Sequence, residues 1–255
     1  MNISLAPEAL FHIGTFPFVN TLPMAWLVIL ILVALALTVR GKLRTVPRGA
    51  QNLVEALFES ALGLMDSVTG DRKLSYKFFP VVMTIFLFVL FSNLIEIVPG
   101  LGTIGLWEVH HGKEVLVPFI RSSSADLNVT LAIAIVSVLS TQILGIVALG
   151  AFKYAGKFLV PPWKAPYVVG TFVGALELVA EAAKIVSFSF RLFGNIFAGE
   201  VLLTVALFLV PYVVPLPFLM LEIFVGLVQA VVFSMLTLVF MKMAVTSHEK
   251  HEVAH

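Results

Sequence analysis

Hydrophobic residues in this chain run in long blocks instead of alternating with polar ones. Five blocks stand out, at 22–39, 78–98, 127–152, 171–210 and 216–245. Residues 78–95 and 127–152 carry no charged side chain, and each reaches the ~18 apolar residues that mark a membrane-spanning helix. A membrane β-barrel would need segments of about ten residues alternating apolar and polar. The stretch VVMTIFLFVLF at 81–91 has no such alternation. What remains is the helix, which satisfies its own amides in lipid. The pattern therefore predicts an all-α polytopic membrane protein with about five membrane helices.

Breakers and caps punctuate the blocks. Pro99-Gly100 closes the second, Ser124 and Asp126 offer caps before the third, and PYVVPLP at 211–217 divides the last two. The fourth block is 40 residues long and holds no proline. As one helix it would measure about 60 Å, against a hydrocarbon core of about 30 Å. The last two blocks are thus expected to form a long, strongly tilted hairpin. Between the first two spans, Leu53, Leu57, Leu64 and Val68 recur near helical spacing, with Glu55, Glu59 and Asp66 between them. That reads as an amphipathic helix, lying at the membrane surface, against a partner, or packed as an ordinary surface helix.

The whole chain, 1–255, then reads as one membrane domain. Residues 1–21 form an external N-terminal segment, 22–40 the first span and 47–70 the amphipathic interfacial helix. The second and third spans occupy 77–152, the long helical hairpin 171–245 and a polar tail 246–255. No internal repeat or low-complexity linker suggests a second domain.

Composition agrees with a lipid-embedded chain: 60% hydrophobic, 12% charged and a mean hydropathy of +1.04. Soluble domains average about 45–50% apolar and about 25% charged residues. The net charge of +1 says little, but its distribution gives an orientation. Residues 40–77 hold Arg40, Lys42, Arg44, Arg48, Arg72, Lys73 and Lys77, whereas 99–126 hold only Lys113 and Arg121. Lys153, Lys157 and Lys164 make the next loop basic again. The positive-inside rule then puts the N-terminus outside and the C-terminal tail, with Lys242 and Lys250, in the cytoplasm. The first 39 residues lack Lys and Arg, so the first block is expected to remain as a span and not to be cleaved as a signal peptide.

Ionisable residues inside spans are costly. One Arg at the bilayer centre costs from about 2.5–3.5 kcal/mol in insertion assays to about 10–17 kcal/mol in simulations. The last two blocks nevertheless hold Glu177, Glu181, Lys184, Arg191, Glu200 and Glu222, with Asn195 and Gln229 as uncharged polar groups. At 100° per residue, Glu177, Lys184, Arg191 and Asn195 fall within about 40° of one another and form one polar stripe. Glu200 lies nine residues beyond Arg191 and faces the opposite side. Glu222 and Gln229, seven apart, share a face of the fifth helix. One reading is a positive barrier with separate polar routes on its two sides. The other is that Arg191 pairs with Glu177 or Glu222 to hold the bundle together. Lys184 is a candidate structural partner for Glu177 and Glu181.

These residues sit in recognisable surroundings. SFSFRLFGNIFAGE at 187–200, preceded by LELVAEAAKIV and followed by LVQAVVFSMLTLVF at 227–240, resembles the subunit a family of rotary F-type ATP synthases. SSSADLNVTLAIAI at 122–135 is similar to that family's P-S-A-D-x-N-x-T region, with serine replacing proline at 123, and FSNLIEIVPG at 91–100 to the end of its second span. The resemblance covers roughly residues 50–245.

It implies a non-enzymatic stator channel in the Fo sector of a bacterial inner membrane. The implied partners are a ring of c subunits, b-type peripheral stalk subunits and the F1 sector, with H⁺ as the translocated ion and Na⁺ also possible. Arg191 matches the family's essential arginine, which faces the ring carboxylate and separates two half-channels. An arginine suits that task because its pKa above about 12 keeps it charged while the ring carboxylate changes state. Glu200, Glu222, Asn195 and Gln229 match positions of the outer half-channel and the arginine's surroundings, and Glu177 the cytoplasmic carboxylate. Some family members carry histidine at one of the two positions held here by Glu200 and Glu222, and two nearby carboxylates can share a proton and titrate as a coupled pair.

No cofactor, metal site or nucleic-acid partner is indicated. Cysteine is absent, which excludes disulfides and thiolate metal sites. His248, His251 and His255 read as a polar tail, and His12 and His110-His111 match no ligand pattern. A secondary cation transporter using Glu–Arg relays is the runner-up function. An intramembrane hydrolase is set aside, since GxSxG does not occur and the HExxH string HEVAH at 251–255 lies in the polar tail, outside any span.

Overall fold

A computed structural model describes residues 7–13, 16–40, 49–98, 104–110, 113–158, 167–210 and 213–246. The chain begins with a β-hairpin, β1 (Ala9–Ile13) and β2 (Phe16–Val19), followed by α1 (Thr21–Arg40), α2 (Ala50–Thr69) and α3 (Arg72–Glu96). A second hairpin, β3 (Gly105–His110) and β4 (Lys113–Pro118), precedes a single 3₁₀ turn at Ser123–Ala125. Then come α4 (Leu127–Leu149), α5 (Ala151–Phe158), α6 (Tyr167–Leu209) and α7 (Pro215–Val245). Among the described residues, α1, α3, α4, α6 from Phe172 onward, and α7 are long and apolar enough to cross a membrane. The all-α polytopic membrane fold is the one observed. The two antiparallel hairpins add to it, and with strands of four to six residues they are too short for the hydrophobic blocks to reveal.

Local chemistry sets the turns. Gly70 adopts a left-handed φ of 71° and its N–H reaches the Asp66 carbonyl at 2.8 Å, which stops α2. Asp71 caps α3 by accepting from the Lys73 amide at 2.9 Å. Arg72 folds back onto Asp66 at 2.6 Å and Glu59 at 2.9 Å, joining α2 and α3 at their shared corner. Pro80 sits inside α3, and the Thr84 hydroxyl donates to its carbonyl at 2.7 Å. Asp126 caps α4 through the Asn128 amide at 2.8 Å and also accepts from the Thr21 hydroxyl at 2.8 Å. The start of α1 is thereby pinned to the polar turn.

Two apolar clusters hold the bundle. One joins Ile85 and Val89 of α3, Ala134 of α4, Phe188, Leu192 and Ile196 of α6, and Ala230 and Phe233 of α7. The other joins Met65 of α2, Phe78 and Val82 of α3, and Leu238 and Met241 of α7. Where helices approach closely the contacts are small and polar: Ser137 with Thr237 at 2.8 Å, and Thr130 with Ser189 at 3.2 Å.

The face that α2 buries differs from the expected stripe. Leu62 and Met65 are buried, Val68 is half-buried, and Leu53 and Leu64 are exposed at 70% and 52%. The two ends of the bundle also differ. Both hairpins, the polar turn, the end of α6 and the start of α7 gather at one end, and the α2–α3 corner and α5 at the other.

Candidate functional site

α6 and α7 pack as a hairpin. The rings of Phe188 and Phe233 lie 4.9 Å apart, and Gly199 lets α7 come close enough that a methyl group at that position would sit 2.7 Å from Glu222 Oε1. Leu192 and Ile196 turn inward and are buried, while Ser187, Phe190, Arg191, Gly194, Asn195 and Ala198 form an exposed face of α6. Arg191 makes no ion pair or hydrogen bond with any described residue. The pairing of Arg191 with Glu177 or Glu222 is therefore not the arrangement found. One turn on, Asn195 Nδ2 donates to Gln229 Oε1 at 2.8 Å, and the Gln229 Nε2 is buried without a partner.

Towards the hairpin end, carboxylates from different elements converge. Arg121, just before the 3₁₀ turn, grips Glu200 bidentately, Nε to Oε1 at 3.1 Å and an Nη to Oε2 at 3.0 Å. Glu222 is buried, and neither of its oxygens has a hydrogen-bond partner. Glu96, at the end of α3, lies within electrostatic reach of Arg121, Glu200 and Glu222. Below it, Ser124 Oγ donates to Asn93 Oδ1 at 2.8 Å, and Asn93 Nδ2 donates to the Gly226 carbonyl at 3.2 Å.

A second polar group lies towards the other end. Lys184 pairs with Glu181 at 2.7 Å and sits 4.4 Å from the centre of the Phe240 ring. Glu177 is half-buried one turn earlier. Tyr154 of α5 reaches in beside them and its hydroxyl donates to Gln142 Oε1. Burial pushes the Tyr154 phenol up to about 12, and the charges of Glu181 and Glu177 push the same way.

With this geometry, the match to known families is decisive. The family model described as "ATP synthase A chain" matches residues 22–242. The chain belongs to the ATP synthase A chain family. ATP synthase subunit a of Moorella thermoacetica is 31% identical over 242 residues, covering 95% of this chain and 98% of the relative. The Campylobacter fetus subunit a is 34% identical over 247 residues, covering 97% and 98%, and that of Campylobacter jejuni strain 81-176 is 35% identical over 241 residues, covering 94% and 91%.

Within this chain, the residues singled out from the sequence fall into three places. Glu200 and Glu222 meet at the hairpin end, Arg191, Asn195 and Gln229 lie in the middle, and Glu177 belongs to the far group. Sequence reasoning counts Arg121 only as a loop charge and singles out neither Tyr154 nor Asn93 and Glu96, which stand inside the stretch FSNLIEIVPG. The signal lay in the topology. With spans that alternate in direction, the end of α3, the start of α4, the end of α6 and the start of α7 all lie at one surface. That brings Glu96, Arg121, Glu200 and Glu222 together. The histidines at 248, 251 and 255 lie outside the described residues, as does His111.

Proposed function

We propose that this chain is the stator channel of an ATP synthase Fo sector, not catalytic by itself, working beside a ring of c subunits and attached to b-type stalk subunits and F1. Protons enter and leave through two half-channels. One reaches the hairpin end past Glu222 and Glu200, and the other passes Glu177 at the α5 end. Arg191 stands between them and meets the ring carboxylate. The positive-inside pattern makes the hairpin end the outer one, with the C-terminus in the cytoplasm of a bacterial inner membrane.

The observation that carries this reading is Arg191. A permanently charged guanidinium on an exposed, largely apolar helix face, with no partner among the described residues, is held ready for a carboxylate on another chain. Membership in the ATP synthase A chain family does not favour the self-contained cation transporter.

Arg191→Ala tests the reading in membrane vesicles. The complex, with its ring and ATPase subunits, should still co-purify in mild detergent, while ATP-driven proton pumping is lost. Coupled pumping that persists in the variant would refute the role of Arg191. Isolation of the wild-type chain without small ring-forming subunits would refute the stator assignment.

A further inference from the structure

Two basic residues of α6 share one stripe and are held very differently. Lys184 and Arg191 stand seven residues apart in an uninterrupted helix, which sets them about 20° around the axis and about 10 Å along it from each other. Arg191 is exposed and makes no ion pair or hydrogen bond with any described residue. Lys184 is neutralised where it stands. Its Nζ donates to Glu181 Oε1 at 2.7 Å, and the pair is largely enclosed, with side-chain exposures of 20% for Lys184 and 12% for Glu181. The ammonium also lies 4.4 Å from the centre of the Phe240 ring, and that ring is 5.6 Å from Phe188 in the contact between α6 and α7. The lysine head is thus drawn into the hairpin, off the face that carries Arg191. The other titratable groups around it are Glu177 of α6 and Tyr154 of α5. α4 contributes the uncharged Gln142, and Lys242 of α7 is engaged by the Val68 carbonyl at 2.8 Å.

We infer that Glu181 is a positioning residue for proton exchange at the inner route: it neutralises Lys184 and holds it away from the ring, so that Arg191, and not Lys184, is the cation this face presents to the ring carboxylate. The inference rests on the proposed stator function and adds a requirement on its inner side. A fixed cation favours the ionised form of a neighbouring carboxylate. At Arg191 that effect drives the proton off the ring. About 10 Å further along α6, towards the inner route, the same effect would oppose uptake of a proton from the cytoplasm. Pairing Lys184 with Glu181 removes the net charge there, and the enclosed setting strengthens the attraction that holds the pair. During uptake the proton passes from the cytoplasmic side to the ring carboxylate, and neither Glu181 nor Lys184 takes it or gives one up.

The test reads ATP-driven proton pumping in inverted membrane vesicles that carry the complete complex, with assembled complex matched between variants and the pH of the cytoplasmic face varied. Glu181→Gln frees the Lys184 charge, so protonating the ring carboxylate from that face should need a more acidic medium. The pH midpoint of pumping should move down by about one unit, with a rate about tenfold lower at pH above the midpoint. Glu181→Gln combined with Lys184→Gln removes both charges together, and should return the midpoint to its wild-type position and the rate to within about threefold. Ala183→Lys, at an exposed position of α6 beside Lys184, adds a cation and leaves the pair in place. It should give the same acid shift, whether or not Glu181→Gln assembles. The inference is overturned if Glu181→Gln leaves the midpoint unmoved at any rate, as a merely structural pair would. It is equally overturned if the double variant stays as shifted as the single one, or if Ala183→Lys does not move the midpoint. The proposed function fails separately, by pumping that survives Arg191→Ala.

Discussion

Gly199 immediately precedes Glu200 on α6, and the nearest atom to a methyl group placed there would be Glu222 Oε1 at 2.7 Å. That oxygen is the far end of a flexible side chain, so the fold can absorb the substitution by swinging the carboxylate away. Gly→Ala within a helix gains about 1 kcal/mol of propensity. Gly199→Ala should therefore leave thermal stability unchanged or slightly raised. Proton flux should nevertheless fall by about tenfold to 10²-fold, because a displacement of about 1 Å at a transfer site has that effect. Flux measured beside the unfolding midpoint separates the two. A variant that unfolds earlier but conducts normally would contradict the account. At this scale the sequence was informative about residue types but not about pairing. Glu200 and Arg121 are separated by 79 positions, and periodicity along one helix carries no information about a partner that distant.

At the level of elements, hydropathy located the membrane helices because lipid exposure demands long apolar runs whatever the packing. It was less reliable for α2, where the apolar side chains span about half of the helix circumference and α3 and α7 decide which of them are covered. Met65 is buried against Phe78, Val82, Leu238 and Met241, while Leu53 and Leu64 face outward. Helix contacts that depend on small residues are equally hard to read from one strand of sequence. Gly226 of α7 is such a contact: a methyl group there would lie 3.1 Å from Asn93 Cβ, a stem atom that cannot swing aside. Gly226→Ala should push α3 and α7 apart, loosen the bond from Asn93 to the Gly226 carbonyl, and cost about 1–3 kcal/mol as overpacking does. Gly63→Ala in α2, with nothing within 4 Å, is the matched control and should be neutral or stabilising by up to about 1 kcal/mol. Thermal unfolding in detergent compares them, and equal midpoints would show that the α3–α7 contact is not tightly packed.

The whole molecule poses a problem of length. α6 has 43 residues and α7 has 31, about 65 Å and about 47 Å at 1.5 Å per residue. A hydrocarbon core of about 30 Å accommodates such helices only if they protrude or tilt. The Phe172–Leu209 stretch of α6 is long and apolar enough to cross a membrane, and Arg191, Glu200 and the Glu181–Lys184 pair are spread along it instead of being gathered at its ends. Protrusion would put apolar turns in water. Tilt keeps them in lipid and lays the polar groups of both ends across the bilayer, where a carboxylate on a neighbouring ring could pass Arg191 between the two access routes. Holding all of α6 within the core requires an inclination of about 60° from the membrane normal. The chain has no cysteine, so single cysteines can be placed in it without background from its own residues. Ala180→Cys and Ala198→Cys, both at exposed positions of α6, are 18 residues and about 27 Å apart along the axis. Depth-sensitive spin labels in the reconstituted complex should then differ in membrane depth by about 13 Å. A difference near 27 Å would mean an upright, protruding helix and would require the two access routes to be stacked along the normal instead of spread across the membrane.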